Sequence, residues 1–429
     1  MSHFPVHHGP ESRHFADSDV YLTSDIPPLG GTIRQRPEDF IVEEVPLYQP
    51  AGEGEHVYLF VQKVNLTTDQ LVRIIARHFR VSTRSIGFAG HKDRLAVTRQ
   101  LISVHLPGRS IDEFGMIDHP RIDVLWADRH TNKLRKGHLR ANRFSIRIRD
   151  VQATDAPRAA RCLKVLESRG VPNRIGIQRF GSRHNNHLVG RELARARPDA
   201  AVKALLAPGA DDDPHAEAWN LAAAGAFRQA AEKLPNSFRV ERRVLEALGA
   251  GDSPAQAWER IAPSDRGFYL SAFQSAVFNL VLERRLADGT FDAALPGDLL
   301  CREDGRGLVS VDPDRPVDEQ TASQVASFAL TPSGPMWGGN MRRASGRVDQ
   351  LETEALSAFG LVPTDLIDDA RQEMSGGTRR PLRIGLGSPD VEGGIDEHGM
   401  YIRCAFDLPR GGFATEVLRE IMKRPVDGG

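Results

Sequence analysis

The segment Asn142–Arg149 alternates without a break. Phe144, Ile146 and Ile148 fall on one side, while Arg143, Ser145, Arg147 and Arg149 fall on the other. A period of two marks a strand with one covered face. Asn142 lies on the Phe144 side. Apolar runs at Phe40–Val45, His56–Gln62, Leu101–Leu106 and Tyr401–Leu408 predict further strands. Helical periodicity enters at Thr67. Thr67 and Gln70 have capping-box spacing, and Leu71, Ile74, Ile75 and His78 then recur on one face. Beyond Gly181 the text turns Ala-rich and helix-like from about Leu188 to Leu248, interrupted between Pro208 and Pro214. Ser271 and Gln274 have capping-box spacing and predict another helix start. Pro296 to Gly346 is broken by Gly and Pro into short strands and turns. Phe413–Lys423 reads as a last helix. Strands that alternate have one open face, so the pattern predicts an antiparallel α+β core, not a doubly wound sheet.

Composition adds bounds. The chain has 429 residues, enough for two domains or one large one, with 40% hydrophobic and 26% charged positions. The three cysteines, Cys162, Cys301 and Cys404, are too far apart for a zinc-type spacing or a disulfide framework. No signal-peptide core and no apolar run of about 20 residues is present. These features predict a cytoplasmic protein with no membrane partner.

The net charge of −1 hides its distribution. Arg129 to Arg149 holds eight Lys or Arg and no acid: Arg129, Lys133, Arg135, Lys136, Arg140, Arg143, Arg147 and Arg149. Arg169 to Arg183 adds four arginines, among them Arg174 and Arg179, again with no acid. Such segregation fits a phosphate backbone; a solvated face is the plainer reading. Phe144 is either core or a surface on which a base stacks, and Asn142 either a strand-start cap or a hydrogen-bond partner.

One carboxylate stands amid positive charge in a stretch between a helix and a strand, GFAGHKDRLAVTRQ from Gly87. Asp93 lies between Lys92 and Arg94. It reads as a loop acid paired with its neighbours, as a magnesium ligand, or as a catalytic carboxylate kept ionised by basic groups. The magnesium reading lacks companion carboxylates. No phosphate-binding loop or dinucleotide fingerprint occurs, and His184 and His187 lack a nearby acid to complete a metal site.

This stretch resembles the signature of the TruD family of tRNA pseudouridine synthases, Gly-x-Lys-Asp-x-x-Ala-x-Thr-x-Gln, matched by Gly90, Lys92, Asp93, Ala96, Thr98 and Gln100. Four more stretches match in family order: RQRPEDFIVEE from Arg34, KGHLRANRFSIRIR from Lys136, VPNRIGIQRFG from Val171 and FDLPRGGFATEVLREI from Phe406. The resemblance implies a pseudouridine synthase catalytic fold around an antiparallel sheet, interrupted by a family-specific inserted α+β domain. Residues 1–30 would be a flexible leader, 31–169 and 344–429 the catalytic parts, and 170–343 the insert. It implies isomerisation of uridine to pseudouridine in tRNA, with position 13 the expected target. No cofactor, metal or obligate protein partner is implied, and a monomer is expected. Asp93 takes the family's catalytic role. Arg34, Phe40, Lys92, Asn142 and Phe144 would support it, and Arg94, Arg135, Lys136, Arg143, Arg147, Arg149, Arg174 and Arg179 would contact RNA. Arg419 and Glu420 fit a structural pair. The chain departs from the family at Asn173-Arg174-Ile175-Gly176, where an aromatic is usual, and at Phe413, where a Tyr is common. The runner-up functions are a non-catalytic RNA-binding protein and a metal-dependent nuclease.

Overall fold

The computed structural model describes residues 19–93, 95–208, 213–303, 305–366, 376–424 and 426. Arg94 and most of the expected leader lie outside them. The chain forms two compact units. The first is built from Tyr21–Val171 and Ile384–Asp427, the second around Pro172–Arg383.

The first unit contains β1 (Phe40–Pro46), β2 (His56–Val64), α1 (Thr68–His78), β3 (Ile86–Phe88), β4 (Val97–His105), β5 (Ile122–His130), β6 (Leu139–Arg149) and α2 (Ala156–Arg169). Two-residue strands, β7 (Val171–Pro172) and β12 (Arg383–Ile384), mark where the chain passes between units. After β12 come β13 (Gly387–Asp396), β14 (Gly399–Pro409) and α12 (Ala414–Met422). The sheet runs β13-β14-β6-β1-β4-β2-β5, with β3 beside β4. All neighbours are antiparallel except β1 and β4. Mixed α and β elements around this sheet agree with the α+β expectation.

Local signals explain most of these elements. Thr67 caps α1 through a complete capping box with Gln70. The alternation in β6 buries Phe144, Ile146 and Ile148, which join Phe406 of β14, Leu163 and Leu166 of α2, and Val417, Leu418 and Ile421 of α12 in one core. A second core packs Leu71, Val72 and Ile75 of α1 against Val57, Leu59 and Val61 of β2. Gly87 allows a close approach: a Cβ there would stand 2.2 Å from the Leu134 carbonyl oxygen of the β5–β6 loop.

The described residues from Tyr21 to Gly30, expected in a flexible leader, belong to the first unit. Ile26 and Leu29 are buried in the first core. Glu420 accepts hydrogen bonds from the Leu22 amide at 3.1 Å, the Thr23 amide at 3.0 Å and the Thr23 hydroxyl at 2.8 Å. The Arg419 guanidinium covers the Tyr21 ring at 4.4 Å. Arg419 and Glu420 therefore fasten this segment to α12.

The second unit holds α3 (Asn186–Ala194), α4 (Pro198–Leu206), α5 (Ala216–Ala223), α6 (Phe227–Lys233), α7 (Arg239–Gly249), α8 (Pro254–Glu259) and α9 (Pro263–Ala287). Then follow β8 (Leu299–Arg302), β9 (Leu308–Ser310), α10 (Glu319–Ala326), β10 (Leu330–Met336), α11 (Gly346–Ser357) and β11 (Thr378–Pro381). A four-stranded sheet has the order β11-β10-β8-β9. Two expectations are corrected. Ser271 lies inside α9, not at its start; Pro263 occupies the first turn, a position where its missing N–H is harmless. The second unit also continues past Arg343 to Arg383, because β11 pairs with β10 and Glu352 of α11 is buried against Arg379 at 2.6 Å.

Candidate active site

Asp93 stands in the loop between β3 and β4, with its side chain 55% exposed. Arg34 Nη2 donates to Asp93 Oδ2 at 3.4 Å. Arg34 has a φ of 60°, in the left-handed region, and its guanidinium lies over the Phe40 ring at 4.2 Å. Positive φ costs a non-glycine residue about 1 kcal/mol, a strain often found at functional sites. Phe40 in turn meets Phe144 edge-on at 6.4 Å, and Phe144 meets Phe406 at 5.7 Å. A packed aromatic row thus supports the cation that faces Asp93. Phe144 is buried within that row, so it has little free surface for a base. Its burial contributes about 2 kcal/mol to the core.

The loop is held on both sides of the Asp93 Cα. The Lys92 amide donates to the Thr68 hydroxyl at 2.9 Å, and that hydroxyl donates to Gln100 Oε1 at 3.3 Å. On the other side, Lys63 Nζ donates to the Asp93 carbonyl oxygen at 3.1 Å. The Lys92 side chain turns inward. Its ammonium lies 2.8 Å from Glu44 Oε1 and donates to Asn142 Oδ1 at 2.8 Å. Glu44 also accepts from the Leu101 amide at 3.0 Å. Burial pushes the Glu44 carboxyl up, and the charge of Lys92 opposes that shift. The expected supports Arg34, Phe40, Lys92, Asn142 and Phe144 are all joined to Asp93 by this chain of contacts.

Four residues of the framework had no assigned role in the sequence: Glu44, Lys63, Thr68 and Gln100. Two left a signal. Glu44 continues the buried Phe40 and Val42 face of β1, and Lys63 continues the Val57, Leu59 and Val61 face of β2. A charged residue at a core-facing strand position needs a partner. Gln100 left only its place in the signature, with no role attached, and Thr68 left nothing, since their link spans two distant elements.

The basic segments divide sharply. Arg149 is buried and held by Asp39 at 2.6 and 2.8 Å and by Asp396 at 2.9 and 3.0 Å. Arg174, in the second unit, is buried and paired with Glu283. Neither has a surface for RNA, and both expectations are corrected: carboxylates distant in sequence already neutralise these cations. Arg147 is partly exposed, bonded to Asp396 at 3.2 Å and lying over Tyr401 at 4.7 Å. Arg143 is exposed, 3.9 Å from Asp407. Arg135 and Lys136 are exposed on the β5–β6 loop. Gly137 of that loop donates its amide to Ala89 at 2.8 Å, four residues before Asp93. Arg179, in the second unit, lies over Phe268 at 5.2 Å. Arg94 is outside the described residues. Among those residues no group of three His, Cys, Asp or Glu is arranged to hold a metal ion, and no helix is long and apolar enough to cross a membrane.

A family model described as tRNA pseudouridine synthase D (TruD) matches residues 17–421. Proteins named tRNA pseudouridine synthase D from Geobacter metallireducens and Geobacter sulfurreducens are each 40% identical, over 411 and 416 residues. These matches cover 94% and 95% of this chain and 97% and 98% of theirs. A crystal structure of the putative tRNA pseudouridine synthase D (TruD) from Methanosarcina mazei matches with a TM-score of 0.81 at 27% identity, covering 96% of this chain and 98% of that one. With nearly its whole length matched and Asp93 in its signature loop, the chain belongs to the TruD family.

Proposed function

We propose that this protein isomerises uridine to pseudouridine in tRNA, with Asp93 as the catalytic carboxylate and position 13 as the target. The observation that carries the reading is a single half-exposed carboxylate, paired with Arg34, on a loop held at the residue before it and at its own carbonyl. The reaction breaks the N1–C1′ bond, turns the base and joins C5 to C1′. It conserves atoms and oxidation state, so it calls for no redox cofactor or energy donor. What it requires is an anion at the ribose, either adding to C1′ or taking the C2′ proton, and both routes depend on close positioning. The nucleotide must leave its stack first, at about a few kcal/mol. Exposed Arg135, Lys136 and Arg143 offer phosphate contacts near that site.

The test is pseudouridine formation in an unmodified tRNA transcript by wild type and Asp93→Asn, with the modified position mapped. The substitution keeps size and removes the negative charge. Product is expected at position 13 with wild type only, while transcript affinity is retained. Equal product from the variant defeats the assignment of Asp93. Binding without product from wild type would favour the non-catalytic RNA-binding reading.

A further inference from the structure

Lys63 is fully buried, yet it has no carboxylate partner among the described residues. It sits one residue from the end of β2, opposite Thr98 of β4 and Ile122 of β5. Its ammonium donates to two main-chain oxygens, Leu66 at 2.6 Å and Asp93 at 3.1 Å. Leu66 directly precedes Thr67, the cap of α1. One cation therefore ties together the end of a central strand, the turn into α1 and the backbone of Asp93.

Burying a charge against neutral carbonyls is unfavourable, and an apolar residue would continue the Val57, Leu59 and Val61 face more stably. The lysine is accordingly poorly explained by stability. Burial pulls its ammonium down to about 8; the Asp93 carboxylate partly offsets that shift and Lys92 adds to it. Its sheet partners Thr98 and Ile122, and Leu66 that accepts its hydrogen bond, carry no titratable side chain.

Resting on the function proposed above, we infer that Lys63 is a positioning residue for the reaction, fixing the Asp93 backbone through the carbonyl oxygen so that the carboxylate meets the ribose. The Lys92 amide is held by Thr68, so the two contacts grip the backbone at the residue before Asp93 and at the peptide unit that follows the Asp93 Cα. Loss of the Lys63 contact frees the peptide unit after the Asp93 Cα while leaving the carboxylate itself chemically intact. Such loosening lowers turnover and spares the binding of the rest of the tRNA.

The experiment uses the full-length protein and an unmodified tRNA transcript, comparing wild type, Lys63→Met and Asp93→Asn. Methionine keeps the stem and removes the ammonium. For Lys63→Met the single-turnover rate is expected to fall about a hundredfold, with transcript affinity and melting temperature retained. A purely structural lysine would move the melting temperature and leave the rate of the folded fraction alone. A wild-type rate in Lys63→Met overturns the inference. If that variant does not fold, Lys63→Gln decides: a lowered single-turnover rate at constant transcript affinity and melting temperature supports the inference, and a wild-type rate overturns it. Wild type that forms no pseudouridine defeats the proposed function instead, a separate result.

Discussion

The Lys92 ammonium lies 2.8 Å from the Glu44 carboxylate, so the residue adjoining Asp93 directs its charge into the protein and not toward the reacting group. The contact that faces the Asp93 carboxylate comes from Arg34, 59 positions earlier in the chain. Lys92 is thus an anchor for the loop, and Arg34 the nearer electrostatic neighbour.

Separating the Lys92–Glu44 pair should be worse than removing it. Glu44→Gln leaves a nearly buried ammonium facing only neutral oxygens, with no opposite charge, and should destabilise the fold by about 3 kcal/mol. The double variant Glu44→Gln, Lys92→Met removes both charges and should recover much of that loss. Denaturant unfolding of the single and double variants measures the coupling; additive effects would show that the pair is not a unit.

Arg34→Met should act on activity more than on stability. The Asp93 side of the pair is open to water, so the pair is worth about 1 kcal/mol or less, and methionine retains contact with the Phe40 ring. Turnover is expected to fall by about one to two orders of magnitude because the donor facing Asp93 is gone. A melting curve and a single-turnover assay separate the two effects. A large loss of stability with normal turnover would make Arg34 a structural residue.

Arg149 and Lys136 should part company, although the sequence groups them. Arg149→Met leaves Asp39 buried without its bidentate partner and is expected to destabilise the protein by about 3–5 kcal/mol. It should not alter the salt dependence of tRNA binding by the folded protein. Lys136→Gln should leave stability within about 0.5 kcal/mol and reduce the slope of log affinity against log salt by about 1. Titrations at several salt concentrations check both, and the opposite pattern would mean that the burial of Arg149 does not hold in solution.

Acid should weaken the ion pairs at the end of the β13–β14 hairpin. Hydrogen bonds from Arg149 hold the Asp396 carboxyl well below its ordinary value of 3.8, helped by the His398 amide and by the charges of Arg149 and Arg147. The folded protein therefore binds this proton less readily than the unfolded chain. The resulting stability is fully present above about pH 4 and is lost as pH falls below it. Unfolding curves of wild type and Asp396→Asn should be separated at neutral pH and converge in acid. A constant gap would assign the difference to packing.

The sequence by itself determined the elements whose signals are local. Alternation in Asn142–Arg149 gave β6, Thr67 and Gln70 gave the start of α1, and the signature around Asp93 located the candidate carboxylate in a loop. These features rest on side-chain period, a neighbouring cap and residue order, which a linear text preserves. The two long strands of the large sheet that it did not reveal, β5 and β13, are the two ends of that sheet. Edge strands are widely exposed there, so they have weak apolar alternation to read. The tertiary structure alone decided which cations are free to meet a phosphate. Arg149 finds Asp39 and Asp396, Arg174 finds Glu283, and Lys63 finds the carbonyl of Asp93. Charge acts through space, and the partners that neutralise or orient these groups lie between 30 and 247 positions away along the chain.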